Sequence, residues 1–292
     1  TMNILKALFG SGEIKDTKKA DSKERDFEIL KYDGVRAMRT GAMEQARKCF
    51  EGALNINNDF EIRDYLSLVL VSLGDLEEAV SQLRMIAEVQ PDNVKVFLRM
   101  ASIYYMLEDY ENMEEVATTS LQIDGKEPMA MFQLAQASRG KGDVVKAIAM
   151  LTKALSLDDS YEEAYLLRGE MLLKAGDTQA ASSDVEWLME HDSCNEDVMM
   201  LKARYEHACG NDDNAIDAYG KVIDMNPFSS QAYKERGAVF MRKGDTKAAA
   251  ADMQKSMEIC PEMAADINGE YSAEGIERMT KDAYGCNPLC MG

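Results

Sequence analysis

Apolar and polar positions along the chain follow the spacing of amphipathic helices, in segments of about 15 residues separated by short polar turns. In one segment Leu134, Ala135 and Ser138 fall on one helical face, and Ala147 and Leu151 do the same in the segment that follows. Such segments recur between residues 27 and 263, and no stretch is dominated by the two-residue alternation of a strand. The pattern predicts an all-α chain built from pairs of helices.

A glycine marks the turn inside most of these pairs and returns every 34 residues, at Gly142, Gly176, Gly210 and Gly244. Glu108 takes its place one period before Gly142. Small residues seven positions earlier, and alanines five positions later in most pairs, let the two helices approach closely. Asp or Asn follows most of these glycines, which predicts a left-handed glycine at the end of the first helix. This fixed period is typical of stacked helical repeats that share one core.

The chain resembles the tetratricopeptide-repeat family over residues 27–263. The segments AYLLRGEMLLKAGD from Ala164 and AYKERGAVFMRKGD from Ala232 carry the resemblance most clearly. It implies a right-handed superhelical α-solenoid of antiparallel helix pairs. Repeat three departs furthest, because Glu108 and Met113 replace the glycine and the alanine. We expect seven repeats, at residues 27–59, 60–93, 94–127, 128–161, 162–195, 196–229 and 230–263.

Both ends of the chain differ from the repeats. Residues 1–26 hold a short apolar segment at residues 2–9 and then a charged stretch, which predicts either a linker or a solvated helix. The apolar segment is too short to span a membrane. It predicts either a helix docked on the array or a weak anchor for a membrane surface or a partner. Residues 264–292 predict a capping helix over the last repeat, followed by an extended tail.

Charge and composition narrow the range of functions. The net charge of −19 argues against nucleic acid and against strong association with an acidic membrane, since both require clustered Lys and Arg. The six cysteines follow no zinc spacing and suit a reducing cytoplasm. His191 and His207, the two histidines, lie in no metal or catalytic motif, and no phosphate loop or nucleophile elbow occurs. We therefore expect a cytoplasmic, non-catalytic protein with no metal and no cofactor.

Two arginine–aspartate pairs recur at equal distances from the glycine. Arg168 and Arg236 lie eight residues before it, and Asp184 and Asp252 lie eight residues after it. The equal offset places each Arg opposite its Asp across the helix pair, where a partly buried bidentate ion pair can form. We predict that these four side chains are structural, and we leave them out of the binding site.

The family resemblance implies that the first helices line a concave groove and that a partner binds there. Positions 13, 10, 6, 3 and 2 residues before the glycine would face it. Over seven repeats these positions hold eight Lys or Arg and six Asp or Glu, so the groove is near neutral in an acidic chain. Such side chains suit a peptide: the exposed anchors would be Tyr105, Phe132 and Met200, and the groups that hold its carboxylates would be Arg139, Arg204, Lys234 and Arg242. The predicted partner-binding residues are Leu98, Tyr105, Met129, Phe132, Arg139, Leu166, Met200, Arg204, His207, Lys234, Met241 and Arg242.

Two functions fit this pattern. The first is a protein–protein interaction adaptor that binds a peptide segment of a partner protein in the groove. The second is a self-assembling structural unit, such as a homodimer, in which residues 2–9 or the C-terminal tail occupy the groove of the same or a neighbouring copy. A carboxylate clamp of the kind that grips chaperone C-termini is not expected, because Val35 and Ala238 stand where that clamp requires Asn.

Overall fold

The computed structural model describes residues 13–260, with side chains from residue 22 onward, and this part of the chain contains helices and turns but no strand. Each helix begins after a short polar turn, as the sequence pattern predicts. The helices are α1 (Glu13–Arg39), α2 (Met43–Ile56), α3 (Phe60–Leu73), α4 (Leu76–Val89), α5 (Val94–Met106), α6 (Tyr110–Ile123), α7 (Pro128–Gly140), α8 (Val144–Leu157), α9 (Glu162–Lys174), α10 (Thr178–His191), α11 (Glu196–Ala208), α12 (Asp212–Met225), α13 (Ser230–Lys243) and α14 (Thr246–Ile259).

The helices form two compact units, divided between Asp143 and Val144. In the N-terminal unit the pairs α1/α2, α3/α4 and α5/α6 stack in order and are followed by α7. In the C-terminal unit α8 is followed by the pairs α9/α10, α11/α12 and α13/α14. Within each unit every helix packs against its neighbours in sequence, and first helices of successive pairs also touch, as α5 touches α7 and α9 touches α11. This is the stacking that a helical-repeat array requires.

The turn inside each pair has the predicted left-handed residue. Gly74 has φ of 85° and Gly244 has φ of 83°, and the other glycines of the series are close to these values. In repeat three Glu108 adopts the same conformation with φ of 55°, although it carries a Cβ. In several repeats the Asp that follows caps the second helix with its side chain, as Asp177 does by accepting a hydrogen bond from the Ala180 N–H at 2.9 Å and as Asp109 and Asp245 also do. The turn geometry is therefore retained even where the glycine is lost.

Small residues allow close packing between the helices of a pair and between pairs. The alanines five residues after the turn are fully buried, and Met113 is equally buried in their place in repeat three. At Gly169 a Cβ would lie 2.8 Å from a Leu201 methyl carbon and 3.6 Å from the Asp184 Cβ. A side chain at this position would push α9 away from α11, so the glycine is needed for close approach.

The two predicted arginine–aspartate pairs are confirmed. Arg168 donates from Nε and Nη2 to the two carboxylate oxygens of Asp184, at 2.9 and 2.5 Å. Arg236 makes the same bidentate contact with Asp252, at 2.8 and 2.8 Å. Asp184 is fully buried, and its hydrogen bond and charge raise the pKa of Arg168 above its ordinary value. Each pair therefore braces the two helices of one repeat from inside.

The first helix is longer than a repeat requires. Of the two alternatives for the charged stretch before residue 27, the structure has the helix, because α1 runs without a break from Glu13 to Arg39. The apolar segment at residues 2–9 lies outside the described residues. The capping helix and tail at residues 264–292 also lie outside them, so both remain predictions.

Candidate partner-binding face

First helices of successive repeats are joined by side-chain contacts that bring their predicted inward positions onto one surface. In the N-terminal unit Lys31 of α1 donates to Glu61 of α3 at 2.5 Å. Arg99 of α5 donates to the Ser67 hydroxyl of α3 at 2.6 Å and pairs with the Asp64 carboxylate. These contacts place α1, α3 and α5 side by side, and we call the surface that their inward positions form in each unit the inner face.

The predicted aromatic anchor Tyr105 is held in a fixed position on the inner face. Its hydroxyl accepts a hydrogen bond from Arg139 Nη2 at 2.7 Å, which ties α5 to α7. Its ring lies edge-on to Tyr110, with 6.5 Å between the ring centroids. Arg139 therefore orients Tyr105, a role that differs from the predicted one of holding a carboxylate of the partner.

The other predicted residues of the N-terminal unit differ in exposure. Met129 is 42% exposed at the start of α7. Met106, which is also at one of the positions predicted to face the groove, is 53% exposed at the end of α5. Leu98 and Phe132 are half-buried. These positions are uncharged, so this part of the inner face is an apolar surface with one oriented tyrosine.

Gln133 belongs to this region but was not among the predicted residues. It is 3% exposed, and its amide Nε2 donates to the Leu98 carbonyl at 2.8 Å and to the Ser102 hydroxyl at 3.0 Å. Its Oε1 is buried without a hydrogen-bond partner among the described residues. The side chain joins α7 to α5 beneath the inner face. Gln133 lies nine residues before the turn of its repeat. Arg99 has the same position in the preceding repeat, and it makes the corresponding contact with α3.

Arg204 is the centre of an ion-pair network in the C-terminal unit. Its guanidinium donates to both carboxylate oxygens of Glu235, at 2.8 and 2.9 Å, and to Glu170 at 3.3 Å. Glu235 is 2% exposed and also accepts hydrogen bonds from Tyr219 and Gln231. Burial acts to raise the pKa of Glu235, but Arg204 outweighs it and the pKa lies below its ordinary value. Arg204 therefore joins α9, α11 and α13 to one another.

His207 and Arg242 form a second polar cluster of this unit. Arg242 donates to the His207 carbonyl at 3.0 Å and to the Asp212 carboxylate at 3.0 Å. The His207 Nδ1 lies 3.3 Å from Asp212 Oδ1. Burial and then the charge of Arg242 lower the pKa of His207, and Asp212 offsets this only in part. The guanidinium groups of Arg204 and Arg242, which were predicted to bind a partner, therefore form ion pairs within the chain.

The structure corrects the prediction for Met200. This side chain is 6% exposed and packs in the core with Ala203, Ala215 and Tyr219, so it cannot serve as an exposed anchor. Its flexible thioether turns inward and fills space between α11 and α12. Leu166, Lys234 and Met241, the remaining predicted residues, are half-buried on their helices.

Known proteins support the fold. A model of the family described as tetratricopeptide repeat matches residues 132–185 and 202–264. A tetratricopeptide repeat protein from Parabacteroides merdae superposes with a TM-score of 0.69 at 15% identity, covering 88% of this chain and 99% of that one. The crystal structure of YrrB, titled a TPR protein with an unusual peptide-binding site, covers 61% of this chain and 92% of its own with a TM-score of 0.51 at 16% identity.

Curated relatives extend over most of the chain at low identity. The mouse DnaJ homolog subfamily C member 3 is 22% identical over 275 residues, which are 88% of this chain and 48% of that protein. The BBSome complex member bbs-4 of Caenorhabditis elegans is 22% identical over 247 residues, which are 82% of this chain and 54% of that protein. The chain thus spans about half the length of the curated relatives it matches.

The stacked helix pairs and their hydrogen-bonded first helices define an all-α helical-repeat protein. The 34-residue period, the family match over residues 132–185 and 202–264 and the solved structures identify the repeat as the tetratricopeptide repeat, and the fourteen helices of residues 13–260 fit about seven such repeats. This fold commonly mediates protein–protein interactions. Within residues 13–260, the helices lack the combination of length and apolarity that crossing a membrane requires.

Proposed function

We propose that the protein is a non-catalytic adaptor that binds a peptide segment of a partner protein on the inner face of its first helices. One observation carries the proposal. In the N-terminal unit this face presents Met106 and Met129 at 53% and 42% exposure beside Tyr105, whose hydroxyl is held by Arg139. Oriented aromatic and flexible thioether side chains are the groups that interfaces use as anchors.

Metal binding and catalysis have little support in the part of the chain that the structure describes. Groups of three or more His, Cys, Asp or Glu side chains placed to hold a metal are not found there. Buried carboxylates such as Asp184 and Glu235 are paired with arginines that join helices. These side chains stabilise the fold. We therefore look for the function on the exposed surface of the molecule.

Affinity capture from a native lysate tests the proposal. The inner-face variant Tyr105→Ala/Phe132→Ala/Arg139→Ala is compared with wild type and with a control, Met85→Ala/Val89→Ala, whose residues are 38% and 58% exposed on the second helix α4. We expect the inner-face variant to lose proteins that both others retain. Equal recovery by all three would show that partners bind elsewhere, and recovery of additional copies of the chain itself would favour the self-assembling unit.

A further inference from the structure

A cavity of about 430 Å³ lies where the second repeat meets the third in the N-terminal unit. Most of its wall comes from the second helices α4 and α6 and from the turn before α6, so it is separate from the inner face of the first helices. Its volume is within the range of ~300–1,000 Å³ that is usual for ligand sites. We call it the junction cavity, and its wall includes Glu77, Val80, Arg84, Tyr104, Leu107 and Asp109.

Two other junctions between successive repeats have a lysine at the place that corresponds to this cavity. Lys141 comes directly before the left-handed turn residue of repeat four, and its ammonium donates to Glu111 and Glu114 of the repeat before it, at 2.9 and 2.8 Å. Lys243 has the same position in repeat seven and pairs with Asp213 of the repeat before it. At these junctions the chain itself supplies the cation that balances the carboxylates.

The junction between the first and second repeats has its cation at a different position. Arg47 comes six residues after the turn residue of repeat one, and its guanidinium donates to Asp75 and Glu78 of repeat two, each at 2.7 Å. Two positions can therefore supply the cation of a junction, one before the turn and one after it.

Both of these positions are apolar at the junction cavity. Leu107 comes directly before the turn residue of repeat three, where Lys141 and Lys243 stand in their repeats. Val80 comes six residues after the turn residue of repeat two, where Arg47 stands in repeat one. This junction thus lacks the basic side chain that three others have.

The carboxylates are nevertheless retained at the junction cavity. Glu77 comes three residues after its turn residue, as Glu111 does in the next repeat, and it forms no ion pair or hydrogen bond with the residues that the structure describes. Asp109 accepts hydrogen bonds from the backbone N–H and the side-chain amide of Asn112, at 3.1 and 2.6 Å, but pairs with no cation in the same part of the chain. A cation that enters the cavity gains two carboxylates that no basic side chain has neutralised.

The opposite end of the cavity has hydrogen-bond donors. Arg84 follows Glu77 by seven residues on α4, about 10.5 Å along the helix axis, and its Nη2 donates to the Tyr104 hydroxyl at 2.6 Å. Tyr104 is 4% exposed, and its own O–H proton has no acceptor within the described part of the chain. This end therefore repels a second cation and offers a hydrogen bond to an oxygen atom of a ligand.

A lysine residue combines the groups that the two ends require. Its ammonium is a compact charge on a flexible apolar stem, and the chain already uses that group between repeats at Lys141 and Lys243. The stem can cover Val80, which lies between Glu77 and Arg84 along α4. The backbone carbonyl supplies the oxygen atom.

We propose that the junction cavity binds a lysine residue of a partner protein. The ammonium lies between Glu77 and Asp109, the stem packs against Val80 and Leu107, and the carbonyl accepts the hydrogen bond of Tyr104. This site goes beyond the proposed function, because it uses second helices and does not require a ligand on the inner face.

Titration of the full chain with a blocked lysine, Nα-acetyl-lysine-N-methylamide, tests the inference through the chemical shifts of backbone amides. The uncharged Nε-acetylated derivative and n-butylamine, which has the ammonium but no carbonyl, are titrated in parallel. The variants are Glu77→Gln, Leu107→Lys and the matched control Glu44→Gln. Glu44 is exposed three residues after the turn residue of repeat one, where Arg47 supplies the cation. A urea midpoint equal to that of wild type identifies each glutamine variant as folded.

We expect the blocked lysine to shift the amides of the junction cavity saturably in wild type. Glu77→Gln should weaken binding at least about threefold and Glu44→Gln should leave it unchanged. Leu107→Lys should abolish binding, because it supplies the ammonium from within the chain. The acetylated derivative should not bind, and n-butylamine should bind at least about threefold more weakly than the blocked lysine.

Three results would overturn the inference. They are the absence of a saturable shift, equal affinity of wild type and Glu77→Gln, and binding retained by Leu107→Lys. Equal affinity for n-butylamine would overturn the assignment to a protein residue and favour a free amine. These variants change no position that is predicted to face the groove, so such results leave the proposed function standing.

Discussion

The buried ion pair between Arg168 and Asp184 gives the sharpest test of how the repeats are held together. We predict that Arg168→Met lowers the free energy of unfolding by about 3 kcal/mol. The substitution removes two charged hydrogen bonds, at 2.9 and 2.5 Å, from a carboxylate that is fully buried. The methionine keeps much of the apolar volume of the arginine stem, so the lost partner of Asp184 dominates the effect.

Two further variants separate the pair from its surroundings. Arg168→Met/Asp184→Leu removes both charges, and we expect it to recover most of the loss because no buried charge is left unpaired. Arg236→Met is the matched variant two repeats later, and we expect a smaller loss because Asp252 is 6% exposed and open to some water.

Urea denaturation followed by fluorescence measures these changes close to the pair. Trp187, the one tryptophan of the chain, lies on α10 with Asp184 and stacks between Tyr165 and His191 at centroid distances of 4.1 and 3.9 Å. Helicity by circular dichroism reports the whole array in the same titration. A loss below about 1 kcal/mol for Arg168→Met, or a double variant less stable than the single one, would refute the reasoning.

Three other changes have expected outcomes. Glu108→Gly should raise the free energy of unfolding by about 0.5–1 kcal/mol in urea titrations, because it removes left-handed strain at φ of 55°, and a loss would contradict that reading. Met200→Ala should cost about 2–4 kcal/mol and Met129→Ala under about 0.5 kcal/mol, since the first is 6% and the second 42% exposed; equal costs would argue against the buried position. His207 has a pKa below its ordinary value, so its contribution to stability is present above about pH 6.5 and is lost as pH falls through the folded pKa. Melting temperatures of wild type and His207→Gln should therefore converge between pH 7.5 and 5.5, and a constant difference would exclude this linkage.

Features that repeat within one helix pair could be predicted from the sequence. The left-handed turn residues follow from the glycine period, and the Arg168–Asp184 pair follows from equal offsets about Gly176. Both depend only on local geometry, because two helices joined by a short turn place residues at equal distances from it opposite each other. The turn even constrains Glu108, whose own preference is for another conformation.

Contacts between repeats were predicted less well. Arg204 was expected to hold a partner's carboxylate, yet it reaches Glu235, 31 residues later in the chain. The distance of a residue from the turn glycine specifies which side of the helix it occupies. It does not specify whether a long side chain extends outward or sideways to the next helix. The prediction that Met200 is exposed is wrong for a related reason, because an unbranched thioether on the inward side of the first helix can rotate into the core. Searching for opposite charges about one period apart would have found Arg204 and Glu235.

The two kinds of ion pair set different limits on how the array could change in length during evolution. Arg168 and Asp184 belong to the same repeat, so duplication or loss of that repeat keeps donor and acceptor together. Arg204 and Glu235 belong to consecutive repeats, and excision of the sixth would leave Glu235 buried without its cation. Loss of the sixth repeat therefore carries the cost of an unpaired buried carboxylate, whereas the Arg168–Asp184 pair adds no such cost when the number of repeats changes.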